Sequence, residues 1–482
     1  MTKILVANRG EIACRILRTL RDMGHTSVAV ASEADLDSPH LDEADEVVEI
    51  GPPDPRQSYL RINAILSAAS KTNAFAIHPG YGFLSTSAEF AGACERAKVR
   101  FIGPTSIAMS ALGDKRSARA LAERCGVPVL PGAREADSPD AAQAAADRIG
   151  YPVLLKAAGG GGGRGLRRVE DAASLPEAFE AARREAEAAF GDRRMFVEKF
   201  LHPARHIEIQ ILGDGSSAIA LGERECSLQR RYQKVIEESP STAVDADLRF
   251  ALSDAATKLA VAAGYTNAGT VEFLVGADKS WHFLEVNARL QVEHPVTEMR
   301  FGIDLVRAQV EIALGSSLPT LSKPRGHAIE ARLNAEDPAR EFLPMTGRVA
   351  ALRWPQRPDL RIDAGIRQGQ EIPSYYDPLL AKIIAWGSDR EAARRRLIGG
   401  LRDLVLVGLP TNQKYLVDTL ESDFFTQGET FTTTLETRPW TPPEPVRAML
   451  IAAAAATATP ESAAKGASSD PWKSAGAWRL GS

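Results

Sequence analysis

The chain has 482 residues, of which 44% are hydrophobic and 25% are charged. This composition is typical of an ordinary globular protein of about three domains, and it excludes collagen, a membrane bundle or a wholly disordered chain. The 58 basic and 62 acidic side chains give a net charge of -4, so no global basic field indicates nucleic acid or an anionic membrane as a partner.

The cysteines and the apolar runs bear on the cellular compartment. The four cysteines, Cys14, Cys94, Cys125 and Cys226, are far apart and form no C-x-x-C pair. Neither a zinc knuckle nor a disulfide framework is therefore expected, and a reducing compartment fits best. The apolar run 4–7 is too short for a signal peptide, and the longest apolar stretch, near 450–456, is far shorter than a membrane span. We therefore expect a cytoplasmic protein.

The first section of the chain alternates strand and helix patterns. An apolar strand over 4–7 is followed by a turn at 8–10, by helical periodicity over 12–23 and by a second strand over 28–31. The alternation continues through the turn-rich loop 78–82. We expect a Rossmann-like lobe, but the first turn lacks G-x-G-x-x-G, so no dinucleotide is inferred.

Five consecutive glycines, Gly159–Gly163, lie between predicted strands over 153–156 and 166–169. Glycine lets backbone N–H groups approach phosphate oxygens without obstruction by a side chain. No Lys-Ser/Thr pair follows, so this is not a Walker loop, and an arbitrary glycine run is more often a flexible hairpin tip. Lys156 and Lys115 could each place an ammonium on a polyphosphate, and this combination favours phosphate binding.

Two strand-like segments downstream carry polar side chains. The apolar segment 195–201 is interrupted by a charged pair, Glu198 and Lys199, which by itself is typical of a half-buried strand. In the next segment, 205–210, polar and apolar residues alternate, so His206, Glu208 and Gln210 share one face of a strand. Such a face lines either solvent or a site.

Carboxylates interrupt a predicted apolar hairpin. Glu272 lies in its first strand, and the second strand, 281–287, contains Glu285 and Asn287 after a turn at 276–280. The hairpin would bring the three side chains together, and their oxygens are hard ligands suited to Mg²⁺ bound with phosphates. An exposed ion pair is a weaker alternative, because the flanking residues are strongly apolar.

A charged segment follows this hairpin. Arg289 and the more distant Arg332 could bind a small carboxylate-like anion or a developing enolate, and Glu293 is a candidate general base. A basic cluster over 224–234, which ends at Lys234, is compatible with either a site or a salt-bridged surface.

Motifs across residues 3–440 resemble the biotin carboxylases of the ATP-grasp superfamily. In chain order they are ANRGEIA at 7–13, HPGYGFLS at 78–85, the lysine and glycine run at 156–165, ECS and QRR within 225–231, the segment 285–297 and NAEDP at 334–338. The resemblance implies a mixed α/β and α+β fold with three parts. These are a Rossmann-like domain over 1–113, an ATP-grasp domain over 114–318 with a mobile glycine-rich lid over about 130–203, and a β-rich C-terminal biotin carboxylase domain over 325–440. Residues 441–482 would be an Ala/Pro-rich linker and the start of a following segment.

The resemblance also implies site residues. Phosphates of ATP would lie near Lys115, Lys156, Gly162 and Gly163, and the adenine along Glu198, Lys199, Phe200 and Leu201, with His206 and Tyr232 beside the nucleotide. Magnesium (or manganese) would bind Glu272, Glu285 and Asn287, and bicarbonate would bind Lys234, Arg289, Gln291 and Val292. Glu293 would deprotonate bicarbonate for attack on the γ-phosphate, giving carboxyphosphate, and Arg332 would stabilise the biotin enolate. Family members often carry His where this chain has Tyr232, which we expect to tune ATP affinity rather than abolish activity.

Partners follow from a missing motif. No Met in the chain is followed by Lys, so the Ala-Met-Lys-Met biotin attachment site is absent. The resemblance therefore implies a biotin carboxyl carrier domain or protein and a carboxyltransferase subunit as partners, in a homodimer or larger holoenzyme. The tail resembles the stretch after the carboxylase domain in α subunits of the 3-methylcrotonyl-CoA or propionyl-CoA type, in either a fragment or a short subunit. Two alternatives stay open: an ATP-grasp ligase of the carbamoyl-phosphate type, or a catalytically silent nucleotide-binding scaffold.

Overall fold

The computed structural model describes residues 1–157 and 166–442. The predictions for Gly162, Gly163 and the tail after residue 442 lie outside the described residues. No helix in the described ranges is both long and apolar enough to cross a bilayer.

The first section folds as a parallel sheet flanked by helices. Its strands are β1 (Lys3–Val6), β2 (Thr26–Ser32), β3 (Glu46–Gly51), β4 (Ala76–His78) and β5 (Arg100–Phe101), in the order β3-β2-β1-β4-β5. The helices are α1 (Gly10–Asp22), α2 (Pro39–Asp42), α3 (Ile62–Thr72), α4 (Ala88–Arg96) and α5 (Ser106–Gly113). Strand β1 pairs in parallel with β2 and β4, as the alternating strand and helix patterns predicted. Gly10 supplies the left-handed backbone (φ +64°) that lets α1 begin directly after β1.

The next section is a small antiparallel sheet with its own core, which we call the lid sheet. It contains β6 (Gly132–Ala136), β7 (Val153–Ala157), β8 (Leu166–Val169) and β9 (Met195–Lys199), in the order β6-β9-β7-β8, with helices α6 (Lys115–Arg124), α7 (Pro139–Ile149) and α8 (Leu175–Phe190). The predicted strands on either side of the glycine run do pair, with Lys156 opposite Leu166. Buried Leu155, Phe179 and Val197 belong to a separate apolar cluster under this sheet.

An eight-stranded sheet forms the base of the molecule, in the order β14-β13-β10-β11-β12-β15-β22-β20. Its strands are β10 (Ala204–Asp214), β11 (Ala218–Arg230), β12 (Gln233–Ser239), β13 (Thr266–Gly276), β14 (Trp281–Asn287), β15 (His327–Asn334), β20 (Leu360–Ala364) and β22 (Leu379–Gly387). Because β12 pairs with β15, with Ile236 opposite Ala331, one sheet continues across the predicted boundary near 318–325. The central and C-terminal sections therefore share a hydrogen-bonded base.

The remaining elements surround this base. They are the strands β16 (Glu336–Asp337), β17 (Leu343–Pro344), β18 (Gly347–Arg348), β19 (Ala351–Arg353), β21 (Glu371–Ile372) and β23 (Val405–Val407), and the helices α9 (Ala246–Ala262), α10 (His294–Phe301), α11 (Leu305–Ala313), α12 (Arg390–Asp403), α13 (Gln413–Glu421), α14 (Asp423–Thr426) and α15 (Thr434–Thr437). The sequence predicts an Arg-rich helix over 387–403. The helix begins at Arg390 instead, because β22 continues to Gly387 and the Asp389 carboxylate accepts a hydrogen bond from the Ala392 N–H at 2.8 Å.

Alternation along β15 explains how the base carries both a core and a polar face. Ile329, Ala331 and Leu333 are buried in the same apolar cluster as Leu397 of α12. Successive side chains on a strand point to opposite faces, so Arg332 faces the other way. The polar face of the base thereby becomes the floor of a cleft.

Candidate active site

A cleft of about 1210 Å³ separates the lid sheet from the polar face of the base. Sixteen residues predicted from the sequence line it: Lys115, Lys156, Glu198, Lys199, Phe200, Leu201, His206, Tyr232, Lys234, Glu272, Glu285, Asn287, Arg289, Gln291, Val292 and Arg332. Glu293 is fully buried beside this cleft, in contact with two of its lining cations. The structure therefore gathers segments that are far apart in the chain into one chamber.

Lys234 is the centre of the charged floor. Its ammonium donates to Glu208 at 2.6 Å, to Glu272 at 3.0 Å and to Glu293 at 2.6 Å. Burial acts to lower the pKa of Lys234, but the three carboxylates outweigh it and raise the pKa well above 10.5. Lys234 therefore stays charged, and the sequence alternative of a surface salt bridge is wrong for this lysine.

Glu293 lies between two cations. One carboxylate oxygen accepts from Lys234, and the other accepts from the Arg332 guanidinium at 3.0 Å. Burial acts to raise the pKa of Glu293, but Lys234 and Arg332, with Arg224 behind them, lower it well below 4.5. Glu293 is thus ionised and can accept a proton, and its basicity depends on how closely the two cations contact it.

Arg332 is oriented from both sides. Its Nε donates to Glu237 Oε1 at 2.6 Å, while a terminal nitrogen reaches Glu293. Burial acts to lower the pKa of Arg332, and Glu237 and Glu293 raise it above its ordinary value. The guanidinium is therefore a fixed positive charge at the edge of the cleft.

The predicted acidic hairpin forms, and it brings Glu272 close to Glu285 and Asn287. Glu272 of β13 pairs directly with Glu285 of β14, and Thr270 pairs with Asn287. The Asn287 amide nitrogen lies between the carboxylates, donating to Glu272 at 2.8 Å and to Glu285 at 3.5 Å. The three predicted metal ligands are therefore neighbours on one face of the hairpin.

The hairpin fits a divalent cation by its chemistry. Burial acts to raise the pKa of Glu272, but Lys234 and His206 lower it far below 4.5, so this carboxylate is an ionised hard ligand. The Asn287 N–H group already bridges the two carboxylates, where positive charge is favourable. To contribute its oxygen instead, Asn287 must rotate its amide, whose Oδ1 now accepts from Arg289 at 3.2 Å.

The wall of the cleft that the sequence predicts to hold the nucleotide is built on the lid sheet. Lys156 of β7 forms an ion pair with Glu198 of β9, and Arg119 donates to the same carboxylate at 3.3 Å. Burial acts to raise the pKa of Glu198, and Lys156, Arg119 and Lys115 together lower it. Cations thus outnumber the carboxylate on this wall, a charge balance suited to a polyphosphate.

The predicted adenine segment continues past the end of β9. The Lys199 ammonium donates to the carbonyls of Gly150 and Tyr151 at 3.0 and 2.9 Å, so it ties the segment to the lid sheet. The Phe200 ring lies 4.4 Å from the guanidinium of Arg168, and Tyr232 lines the same cleft with 37% of its surface exposed. Flat side chains therefore border the part of the cleft where the sequence predicts the adenine.

Two carboxylates that orient the site were not selected from the sequence. Glu208 was noted for its polar strand face but given no role, and Glu237 was not noted; both are fully buried, and they contact Lys234 and Arg332 respectively. Glu208 lies in the alternating segment 205–210, which was the available signal, whereas Glu237 is followed by Glu238 and Ser239 and has no such signal. Which cation each would meet depended on strand pairing.

A lid sheet facing a larger base sheet across a charged cleft is the arrangement of an ATP-dependent ligase of the ATP-grasp type, and here cations lie on the lid wall and a buried carboxylate lies at the floor. Residues 1–109 match the family Biotin carboxylase, N-terminal domain; residues 114–321 match Carbamoyl-phosphate synthase L chain, ATP binding domain; and residues 330–437 match Biotin carboxylase C-terminal domain. The chain belongs to the biotin carboxylase family, whose members are ligases that use ATP, Mg²⁺ and biotin.

Proteins that are similar to this chain over most of its length belong to the same family. A biotin carboxylase of Nostoc sp. is 46% identical over 435 residues, which are 89% of this chain and 97% of that protein. The mitochondrial methylcrotonoyl-CoA carboxylase subunit alpha of Dictyostelium discoideum is 47% identical, but the match, 89% of this chain, spans only 62% of that subunit. Among solved structures, the chain is similar to the biotin carboxylase domain dimer of 2-oxoglutarate carboxylase from Hydrogenobacter thermophilus, solved with MgADP, ADP and bicarbonate. The TM-score is 0.88 at 39% identity, and the match covers 91% of this chain and 98% of that domain's chain.

Proposed function

We propose that this chain carboxylates biotin with bicarbonate and ATP through a carboxyphosphate intermediate. The observation that carries the proposal is the contact of Glu293 with Lys234 at 2.6 Å and with Arg332 at 3.0 Å at the floor of the cleft. Glu293 would be the base, and it contacts both the ammonium that would bind the anion and the guanidinium that would stabilise the enolate. This is the set of groups that the three steps of the reaction require.

Bicarbonate would bind Lys234, Arg289, Gln291 and Val292. Arg289 and Gln291 already contact each other at 3.2 Å, and Gln291 donates to Glu272 at 3.0 Å, so the anion site adjoins the acidic hairpin. An anion that draws the Lys234 ammonium toward itself weakens the contact with Glu293. The pKa of Glu293 then rises, and it becomes a stronger base for the bicarbonate proton at the moment when that proton is present.

The nucleotide would lie along the lid wall. Lys115 and Lys156, with Gly162 and Gly163, would contact phosphates; Glu198 to Leu201 would hold the adenine, with His206 and Tyr232 beside the nucleotide. Glu272, Glu285 and Asn287 would hold Mg²⁺ (or Mn²⁺), which offsets charge on the phosphates when bound. Lys156 would exchange its ion pair with Glu198 for a phosphate oxygen, so nucleotide binding rearranges the lid wall.

Arg332 would act on biotin after bicarbonate has been activated. Carboxyphosphate breaks to CO₂ and phosphate, the phosphate takes the N1′ proton of biotin, and the resulting enolate oxygen is stabilised by the guanidinium. Glu237, at 2.6 Å from Nε, keeps Arg332 aimed at the cleft. The charge of Arg332 is therefore present before the enolate develops.

The wider assembly is also a proposal. A biotin carrier domain or protein and a carboxyltransferase subunit would be partners, in a homodimer or larger holoenzyme of the acyl-CoA carboxylase kind, with domains divided near 113 and 318–325. The name of the Dictyostelium discoideum relative and its greater length support this. The four cysteines, all unpaired, support a reducing, cytoplasmic setting.

The test is ADP release from MgATP, with bicarbonate and free biotin added separately and together. We expect a rise that requires bicarbonate and grows with biotin, and Arg332→Ala should remove the biotin-dependent part. Full biotin-dependent turnover in Arg332→Ala would refute its role. Turnover with ammonia and indifference to biotin would favour a carbamoyl-phosphate type of ligase, and nucleotide binding without turnover would favour the silent scaffold.

A further inference from the structure

A fully buried lysine behind the cleft contacts the backbone of residues 289–293, which include the groups assigned above to bicarbonate and are called the anion-binding segment. Lys382 lies on β22, has no exposed surface, and donates to the carbonyl oxygen of Val292 at 3.1 Å. Residues 288–293 lie between β14 and α10 and form neither strand nor helix. The Val292 carbonyl is therefore held by a side chain and not by the backbone hydrogen bonds of a sheet or helix. None of the proposed catalytic steps uses Lys382.

The strand register explains why Lys382 reaches this carbonyl. Lys382 pairs directly with Arg332 on β15, so both side chains leave the base on the same face. Arg332 contacts Glu293, and Lys382 contacts the preceding residue, Val292. Two cations on paired strands thus hold two consecutive residues of the anion-binding segment.

Lys382 is itself held by the first lobe of the molecule. Its ammonium lies 3.2 Å from a carboxylate oxygen of Glu11, in the first turn of α1, and 3.7 Å from Asp363 on β20. Gly365 brings α1 this close to the base, since a Cβ there would lie 2.2 Å from the Glu11 nitrogen. Asp363 also receives two hydrogen bonds from Arg361, so it does not depend on Lys382 for a counter-charge.

We propose that Lys382 is a positioning residue for the bicarbonate site: oriented by Glu11, it holds the Val292 carbonyl and so fixes the segment 289–293 against the floor of the cleft. The inference deepens the proposed function and rests on it, because Arg289, Gln291 and Val292 are the groups assigned there to bicarbonate. A charged hydrogen bond to a buried carbonyl stabilises its partner more than a neutral one does. Losing it would let the segment move without removing any group that touches the substrate.

The test compares two double variants of the full chain that have the same charge. Lys382→Met with Glu11→Gln removes the donor to Val292, whereas Lys382→Gln with Glu11→Gln replaces the ammonium with a neutral donor. Neither variant leaves Glu11 as an unpaired buried carboxylate, which avoids the main cause of misfolding in a single Lys382 variant. Arg390→Met is the control, because Arg390 is likewise a cation that donates to a buried group, Glu238 at 2.7 Å, but it does not line the cleft.

Two readouts are measured on each variant: amide hydrogen exchange of peptides covering 289–293, and the KM values for bicarbonate and ATP in the ADP-release assay. We expect the Met double variant to raise exchange of this segment and to raise the bicarbonate KM about tenfold, with the ATP KM within about twofold. The Gln double variant should recover part of both effects, and Arg390→Met should show neither.

The outcomes separate the two proposals. Unchanged exchange over 289–293 in the Met double variant overturns the role of Lys382, and so does an equal rise in Arg390→Met, which would indicate general destabilisation. Raised exchange with an unchanged bicarbonate KM also overturns it. If the wild-type chain shows no bicarbonate-dependent turnover, the proposed function fails, and exchange of the segment still decides whether Lys382 holds it.

Discussion

The two walls of the cleft are held in place by different means. The floor lies on one continuous eight-stranded sheet, and its charged groups are buried and mutually paired, as Lys234 is with three carboxylates. The lid wall lies on a separate four-stranded sheet with its own core, and Lys156 is paired there with one carboxylate, Glu198. The charged groups of the floor are thus held by several partners each, whereas Lys156 on the lid wall has one ion pair, which under the proposed function it would exchange for a phosphate oxygen.

The largest expected effect comes from the floor. Glu293→Gln should lower bicarbonate-dependent ADP release by about a hundredfold or more, because the base is lost and Lys234 and Arg332 lose a counter-charge. Glu223→Gln is the matched control, since Glu223 is equally buried but does not line the cleft. Its carboxylate accepts a hydrogen bond from Arg249 at 2.7 Å. A Glu293→Gln enzyme with more than about a tenth of the wild-type rate would contradict the assignment of the base.

A substitution on the lid wall should affect a different parameter. Lys156→Met should raise the KM for ATP about tenfold and leave the KM for bicarbonate nearly unchanged, because its charge contacts only the nucleotide side. Arg167→Met on the neighbouring strand β8 is the control, because Arg167 lies 3.5 Å from Glu185 and does not line the cleft. Equal changes in both KM values would mean that the two walls do not act separately.

Substitution of Tyr232 in the cleft tests whether ATP binding depends on one specific ring. Tyr232→His should change the KM for ATP by less than about threefold, because both rings can stack or donate a hydrogen bond and the tyrosine is partly exposed. Steady-state assays over a range of ATP concentrations measure this. Loss of ATP turnover in the histidine variant would show that the phenol has a specific role.

The smallest expected effect is on the pH dependence of folding stability, and it comes from Glu11, the buried partner of Lys382. Burial raises the pKa of Glu11 from 4.5 to about 7, although Lys382 acts to lower it. Between these pH values the folded state holds a proton that the unfolded state has released, so raising the pH favours unfolding of the wild type. Glu11→Gln lacks this penalty, and its free energy of unfolding relative to wild type should therefore increase across that range.

Urea unfolding at pH 5, 6, 7 and 8 measures the difference, with Glu341→Gln, whose side chain is 89% exposed, as the control. A difference between Glu11→Gln and wild type that stays constant with pH would show that Glu11 keeps its ordinary pKa in the folded protein.

The predictions from sequence were accurate where chemistry was local. The hairpin that brings Glu272 and Glu285 together was predicted, because a short turn between two apolar strands allows few pairings, but its register, with an irregularity after Glu272, was not. The helix start at 390 was misplaced by three residues, because Gly387 still belongs to a strand whose partner, His327, is distant in sequence. Glu237 was missed for the same reason, since nothing near it in the chain shows that it will face Arg332.

The amino-acid sequence by itself determined the family, the order of elements and most of the polar side chains that line the cleft, because motifs such as those at 7–13 and 285–297 combine many residues in a fixed order. Only the tertiary structure decided which charges meet. Lys234, Glu293 and Arg332 come from three separate segments, and the pairing of β12 with β15 brings two of those segments together. Contacts between distant segments depend on register and packing, which a local pattern does not contain.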